Sequence, residues 1–175
     1  MKINPADLIT FQQIQQHKAT CDALNSDAML ALVDEAHQYQ PIIVSIFIAY
    51  KDDVNDSELA EIIKTLLLIW LCYRDQPNIK QHPVSHDAFY AKERLHNDFR
   101  IYLQLEHNPL EQEALLDLDI ERVNKVLLAH LFHLYKHHPA FKQKEKLHVV
   151  EFLLQCRALL ECFEELVHST KSPNS

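Results

Sequence analysis

Glycine is absent from this chain of 175 residues. Glycine adopts positive φ more readily than other residues and lets a backbone come close to a bound phosphate. The phosphate-binding P-loop, the GxGxxG dinucleotide turn, the GxSxG nucleophile elbow and the EF-hand loop all need it at fixed positions. The two-residue turns of tight β-hairpins depend on it as well. The sequence therefore excludes these sites and disfavours an all-β fold.

Basic residues are also scarce. The chain has 17 Lys and Arg against 25 Asp and Glu, which gives a net charge of −8 and a pI of about 5.8. A protein that holds nucleic acid through phosphate contacts usually carries a basic face. We therefore expect no nucleic-acid partner, and a protein partner that is itself basic is favoured.

No targeting or redox motif is recognisable. The first residues, MKINPADLITFQQIQQ, lack the apolar core of a signal peptide, so we expect a cytoplasmic protein. None of the four cysteines forms a CxxC pair, and they lie in mostly apolar segments, which indicates buried reduced thiols rather than a disulfide or a metal knuckle. These cysteines are Cys21, Cys72, Cys156 and Cys162.

Long hydrophobic runs are missing too. The run from Leu66 to Tyr73, LLLIWLCY, is only eight residues long, whereas an α-helix needs about 20 apolar residues to cross a bilayer. We expect no membrane partner. The run is the second half of a predicted helix over 57–74, and a helix segment that is apolar on every side must be enclosed by other helices. We expect it to be the central helix of the fold.

The segment Pro41 to Tyr50, PIIVSIFIAY, could be a strand or a helix because it is rich in β-branched residues. The chain has no second run of this kind to pair with it, so we predict a short buried helix. Apolar residues at helical spacing predict the other helices and their buried positions. The predicted helices cover 4–18, 26–39, 85–107, 120–137 and 139–168. The residues predicted to be buried in the second and fifth helices include Leu30, Val33, Ala36, His37, Ala88, Leu95, Phe99, Tyr102 and Leu105.

The fold class that follows is all-α: a single compact bundle of six to seven helices, with two strongly apolar central helices over 57–74 and 120–137. We expect residues 1–168 to form one all-helical domain. Residues 169–175, STKSPNS, are predicted to be a disordered tail.

Acidic residues are clustered in two segments. Helix N-termini favour acids by about 0.3 to 1 kcal/mol each, which accounts for part of both clusters. An acidic surface that steers a basic partner is the alternative explanation. The predicted partner-binding residues are Asp52, Asp53, Asp56, Glu58, Glu61, Glu111 and Glu113.

Histidine is abundant, with 12 residues, and several follow a glutamate at i+3. Residues i and i+3 share a helix face, so both side chains can reach one metal ion, as in ferritin-like di-metal bundles. A chain rich in Glu and His also produces such pairs by chance. The metal hypothesis takes Glu93, His96, Glu145 and His148 as ligands. A row formed by His130, His133 and His137 could bind Zn²⁺ or Ni²⁺, or could be one core histidine followed by a cationic helix end.

We therefore expect a non-enzymatic, acidic, cytoplasmic helical protein that acts by binding a basic protein. No cofactor is expected. Small acidic helical inhibitors, such as the immunity proteins that neutralise bacterial toxins, are similar in size, charge and class only, so the comparison is an analogy. The alternative is a metal-binding helical bundle with Glu and His ligands, and a homodimer formed through the apolar helices is a further option.

Overall fold

The computed structural model describes residues 9–105, 125–137 and 146–169, apart from the side chains of 102–105, 125, 132, 134–137 and 146–149. This part of the chain is helical and contains no strand, which confirms the predicted all-α class. Its helices are α1 (Phe11–Ala23), α2 (Ser26–Tyr39), α3 (Pro41–Tyr50), α4 (Asp56–Tyr73), α5 (His86–Leu105), α6 (Lys125–His137) and α7 (Lys146–His168).

The helix α4 lies at the centre of the described chain and packs against α1, α2, α3 and α7. Asn55 and Glu58 form a capping box at its start: the Asn55 side chain accepts from the Glu58 N–H at 3.0 Å, and Glu58 accepts from the Asn55 N–H at 2.9 Å. Every residue from Thr65 to Tyr73 is buried. The apolar run therefore occupies the core on all sides, as its composition predicts.

The ambiguous segment α3 is a helix that begins at Pro41. Proline suits the first helical position because its missing N–H would have no partner there. Ile42, Ile43, Ile46 and Tyr50 are buried, and this spacing places them on one face. The prediction of a short helix is confirmed.

The second long run of buried residues is in α7, where each residue from Cys156 to Phe163 is buried. In α6 the leucines Leu127, Leu128 and Leu131 are buried and α6 packs on α7 and α1. Residues 120–124 of the predicted helix lie outside the described residues. That this helix is a second central one stays a prediction.

The packing between α5 and α7 differs from the prediction. Leu95 is 51% exposed and Ala88 is exposed, whereas Phe89 and His96 are buried. The prediction was wrong for Ala88 and Leu95, while Phe99 is partly buried. The helix buries Phe89 and turns Lys92 and His96 towards Glu161 of α7. The side chains of Tyr102 and Leu105 lie outside the described residues.

A similar correction applies to α2. Leu30 is 61% exposed and His37 is exposed, while Ala36 is buried and Val33 is partly buried. Leu32 is also buried, and its burial was not predicted. Among the described helices, α2 contacts only α3 and α4 extensively, so a narrow stripe is enough to pack it there.

The loop 74–85 is fixed to the helices by two amides. Gln40 is fully buried; its Nε2 donates to the carbonyls of Ile79 at 2.5 Å and His82 at 3.1 Å. Its Oε1 accepts from the Val84 N–H at 2.8 Å. Asn78 has φ of 69° and donates to the Leu166 carbonyl at 2.9 Å. Asparagine tolerates this left-handed conformation better than most residues, so it supplies a turn that glycine often makes.

The first described helix begins later than predicted. Thr10 is its N-cap, with an extended backbone, and forms a capping box with Gln13. Residues 9 and 10 are therefore not helical, so the predicted continuous helix over 4–18 is wrong there. Its predicted start at 4 and the predicted tail at 170–175 lie outside the described residues, and the domain assignment stays a prediction. No helix in the described ranges is long and apolar enough to cross a membrane.

Candidate functional site

The acidic turn between α3 and α4 presents three carboxylates to solvent. Asp52, Asp53 and Asp56 are all exposed, and Lys51 is the basic residue beside them. The N–H of Asp53 donates to the Tyr50 carbonyl at 3.0 Å, and the N–H of Val54 donates to the same carbonyl at 3.2 Å. These bonds continue the helical path of α3 past its end, so the backbone of the turn has a defined path.

The other predicted partner-binding residues have different surroundings. Glu58 is 4% exposed and its carboxylate caps α4, so it is not available at the surface. Glu61 is partly buried and lies 3.0 Å from the Lys64 Nζ. Glu111 and Glu113 lie outside the described residues. Of the seven, the exposed carboxylates that the structure places together are those of Asp52, Asp53 and Asp56.

An apolar feature that the sequence prediction missed lies directly before this turn. Ile48 is 57% exposed on α3 and Val44 is partly buried one turn earlier. Residues four apart on a helix are neighbours, so Val44, Ile48 and Asp52 follow one another along the outer surface. The sequence contained a signal for this exposed apolar residue. Between Pro41 and Ala49, Ser45 is the one polar side chain of α3, so if α3 lies at the surface, an apolar side chain must face solvent. We call the exposed set Ile48, Asp52, Asp53 and Asp56 the α3 face.

The metal candidates Glu93 and His96 have separate partners. Glu93 Oε1 accepts from Gln155 Nε2 at 2.7 Å. His96 is 3% exposed and its Nε2 is 2.8 Å from Glu161 Oε2, although the ring N–H is not aligned for a straight hydrogen bond. Glu145 and the His148 side chain lie outside the described residues, so the four-ligand hypothesis stays a prediction. Within the described part of the chain, no group of three or more His, Cys, Asp or Glu side chains is placed to hold a metal ion.

His96 belongs to a polar cluster, which we call the α5–α7 cluster, formed by Lys92, His96, Glu161 and Glu165. Lys92 Nζ lies 3.6 Å from Glu161 Oε1 and 2.5 Å from Glu165 Oε1. The His96 contact lowers the pKa of Glu161; burial acts in the opposite direction and Lys92 adds to the lowering. The cluster joins two helices and is too enclosed at His96 and Glu161 for a substrate to reach them.

The histidine row of α6 is only partly described. His130 is partly buried, and its Nε2 has no hydrogen-bond partner within the described residues. Burial lowers the pKa of His130, and Lys18 lowers it further, which favours the neutral ring. His133 is exposed, and the His137 side chain lies outside the described residues. A neutral histidine at the edge of the core is what the described part of this row shows.

The four thiols are buried and reduced, as the sequence predicts. Burial raises the pKa of Cys21 to about 11 and that of both Cys72 and Cys162 to about 12. Burial also raises the pKa of Cys156. A thiol reacts as its thiolate, so these groups are poor nucleophiles at neutral pH.

No protein family, no curated protein and no solved structure matches the chain. The function is therefore argued from the surfaces and contacts of this molecule.

Proposed function

We propose that this protein acts by binding a basic protein through the α3 face. The observation that carries the proposal is the position of Ile48, which is 57% exposed immediately before a turn with three exposed carboxylates. Protein interfaces combine an apolar centre with a polar rim. The α3 face has both parts within two helical turns.

The two parts have different roles in binding. Burying a whole isoleucine side chain stabilises a complex by roughly 1.5 to 3 kcal/mol, so covering the exposed half of Ile48 contributes on the order of 1 kcal/mol. The carboxylates of Asp52, Asp53 and Asp56 attract a partner with excess Lys or Arg and accelerate its association. Affinity then depends on Ile48, and the choice of a basic partner depends on the turn.

The test uses purified protein as bait in an extract of the organism that produces it, followed by calorimetric titration of each captured protein. Two variants change the α3 face: Ile48→Asp and the double variant Asp52→Lys/Asp53→Lys. Leu30→Asp is the matched control, because Leu30 is 61% exposed on α2 and also has exposed acids, Asp27 and Asp34, one turn away on either side, so it tests whether any exposed apolar residue near acids serves equally well.

We expect a basic protein to bind the wild type and the Leu30→Asp variant with equal affinity. We expect at least tenfold weaker binding to either α3-face variant, with unfolding free energies within about 0.5 kcal/mol of the wild type because the changes are at the surface. Binding that survives both α3-face variants, or a partner that is acidic, contradicts the proposal.

A further inference from the structure

A groove of about 730 Å³ lies between α5 and α7. Its walls include Asp87, Tyr90, Glu93 and Arg94 of α5 and Glu151 and Gln155 of α7. The size is within the range of sites that hold a small molecule or several side chains of a peptide, roughly 300 to 1,000 Å³. The groove is separate from the α5–α7 cluster, whose side chains do not line it.

The groove carries more negatively charged than positively charged side chains. Three of its side chains are carboxylates and one, Arg94, is a guanidinium. Glu93 already accepts from the Gln155 amide, and the Gln155 Oε1 is buried with no donor among the described residues. A buried acceptor without a donor costs about 1 to 3 kcal/mol, so a ligand that brings donors is favoured.

One wall of the groove is aromatic. Tyr90 is 46% exposed, and its ring contacts the rings of Phe89 and His86, with ring centres 5.4 Å and 6.0 Å apart. A supported and exposed aromatic face attracts a planar cation, and arginine makes this contact more often than lysine. The same guanidinium can donate to carboxylates at its edge.

One buried tyrosine connects the end of α3 with the helix that carries one wall of the groove. Tyr50, the last residue of α3, packs edge-on against Phe152 of α7 with the ring centres 5.6 Å apart. Burial raises the pKa of Tyr50, and the Cys156 thiol and the carboxylates of Glu151, Glu93 and Asp53 raise it further. One phenol therefore lies close to an acid of the turn and to two acids of the groove.

We propose that the groove between α5 and α7 receives an arginine side chain from a segment of the same basic partner that binds the α3 face. The guanidinium stacks on Tyr90 and donates to Glu93 and Glu151. The inference rests on the proposed function, because it assigns a second contact to the same partner.

The probe is a fluorescent peptide of eight arginines, compared with a peptide of eight lysines, and binding is followed by anisotropy at low and physiological salt. The groove variant is Glu93→Gln/Glu151→Gln, which keeps the shape of both side chains and lets residue 93 still accept from Gln155. The control is Asp27→Asn/Asp34→Asn, which removes two exposed charges from α2.

We expect the arginine peptide to bind the groove variant about fivefold more weakly than the wild type, since exposed ion pairs each contribute about 0.2 to 1 kcal/mol. The control should stay within twofold. Tyr90→Ala should weaken the arginine peptide more than the lysine peptide, because the planar guanidinium stacks and the ammonium does not.

Three results overturn the groove proposal. Equal loss in the control and in the groove variant means that net charge alone attracts the peptide. Free arginine amide that binds as tightly as the peptide means that the site takes a small molecule. A natural partner whose binding is lost with Asp52→Lys/Asp53→Lys but kept with Glu93→Gln/Glu151→Gln supports the proposed function and contradicts the groove proposal.

The opposite result separates the two proposals in the other direction. Arginine-peptide binding that depends on the groove, with no protein partner bound at the α3 face, supports the groove and contradicts the proposed function.

Discussion

The helices α4 and α5 are of similar length and both contact α7, but α4 buries an apolar run whereas α5 buries apolar and polar side chains together. In α4 the nine residues from Thr65 to Tyr73 are buried, and the run from Leu66 to Tyr73 is apolar. In α5, Phe89 and His96 are buried, His96 opposite Glu161, while other apolar side chains face solvent. The exposed ones are Tyr90 at 46%, Leu95 at 51% and Ile101 at 42%.

The difference shows how far the composition of a helix determines which of its faces is buried. A segment that is apolar on all sides has one acceptable location, because any exposed face would cost roughly 25 cal/mol for each Å² of apolar surface left in water. A segment of mixed composition has several possible orientations. In the orientation that α5 adopts, Lys92 and His96 meet Glu161 of α7, more than 60 positions away in the chain.

The largest expected effect tests the comparison directly with one substitution in each helix. Leu67 of α4 is 1% exposed and Leu95 of α5 is 51% exposed. Leu67→Ala should lower the free energy of unfolding by about 2 to 5 kcal/mol, because it removes buried methyl groups and leaves a cavity. Leu95→Ala should change it by less than about 0.5 kcal/mol. Urea unfolding followed by circular dichroism measures both values.

The two substitutions delete the same atoms, so each is the control for the other. Equal losses would mean that the outer face of α5 is covered in solution, for example by a second copy of the chain. A sedimentation experiment on the wild type would then be needed to see whether dimers form.

A second experiment tests the polar packing of α5. Glu161→Ala should destabilise the protein by about 3 kcal/mol, because it leaves His96 and Lys92 without the carboxylate that they share. The double variant His96→Leu/Glu161→Leu removes the buried pair as a whole and should lose much less. Buried ion pairs replaced by apolar residues of similar volume are often neutral or stabilising.

The outcome is the difference between the single and the double variant in urea unfolding. If the double variant is as unstable as Glu161→Ala, the cluster contributes net stability and the polar face of α5 is favoured by energy. If the double variant matches the wild type, the cluster mainly determines which face of α5 meets α7.

The sequence allowed α3 and α4 to be predicted well, for physical reasons. Pro41 fixes the start of α3, and Asn55 with Glu58 fixes the start of α4 through contacts three residues apart. Such local signals do not depend on the rest of the chain. The absence of glycine likewise correctly disfavoured a fold built from tight β-hairpins.

The orientation of α5 and the loop contacts could not be predicted in the same way. Gln40 forms a hydrogen bond with a residue about 40 positions away, and Asn78 with one about 90 positions away. Glu161 of α7 lies beside His96 of α5, where the two helices pack together. For the candidate site, sequence reasoning found Asp52, Asp53 and Asp56 but not the exposed Ile48. The exposure of one apolar residue depends on which neighbours fail to cover it, and that is a property of the assembled fold.

The smallest expected effect is the dependence of stability on pH, and it tests whether the α5–α7 cluster is charged. The pKa of Glu161 is lowered by His96 and, less strongly, by Lys92, from an ordinary value of 4.5. A lowered carboxyl pKa means that the unfolded chain binds the proton more readily than the folded one. The stability from this group is therefore fully present above about pH 5 and is lost as the pH falls through 4.5 towards the lower folded value. Urea midpoints of the wild type and of Glu161→Gln between pH 6 and pH 3 measure the loss.

Glu161→Gln keeps the shape of the side chain and removes its titration, so its stability should fall less steeply below pH 5 than that of the wild type. Glu151→Gln is the matched control, because Glu151 is an exposed acid on the same helix that lines the groove and is not a member of the α5–α7 cluster. It should keep the wild-type slope. If Glu161→Gln and the wild type lose stability in parallel, Glu161 does not gain a charged partner on folding, and the polar face of α5 is held by shape and hydrogen bonds alone. That result would make α5 resemble α4, in that packing rather than charge determines which face is buried.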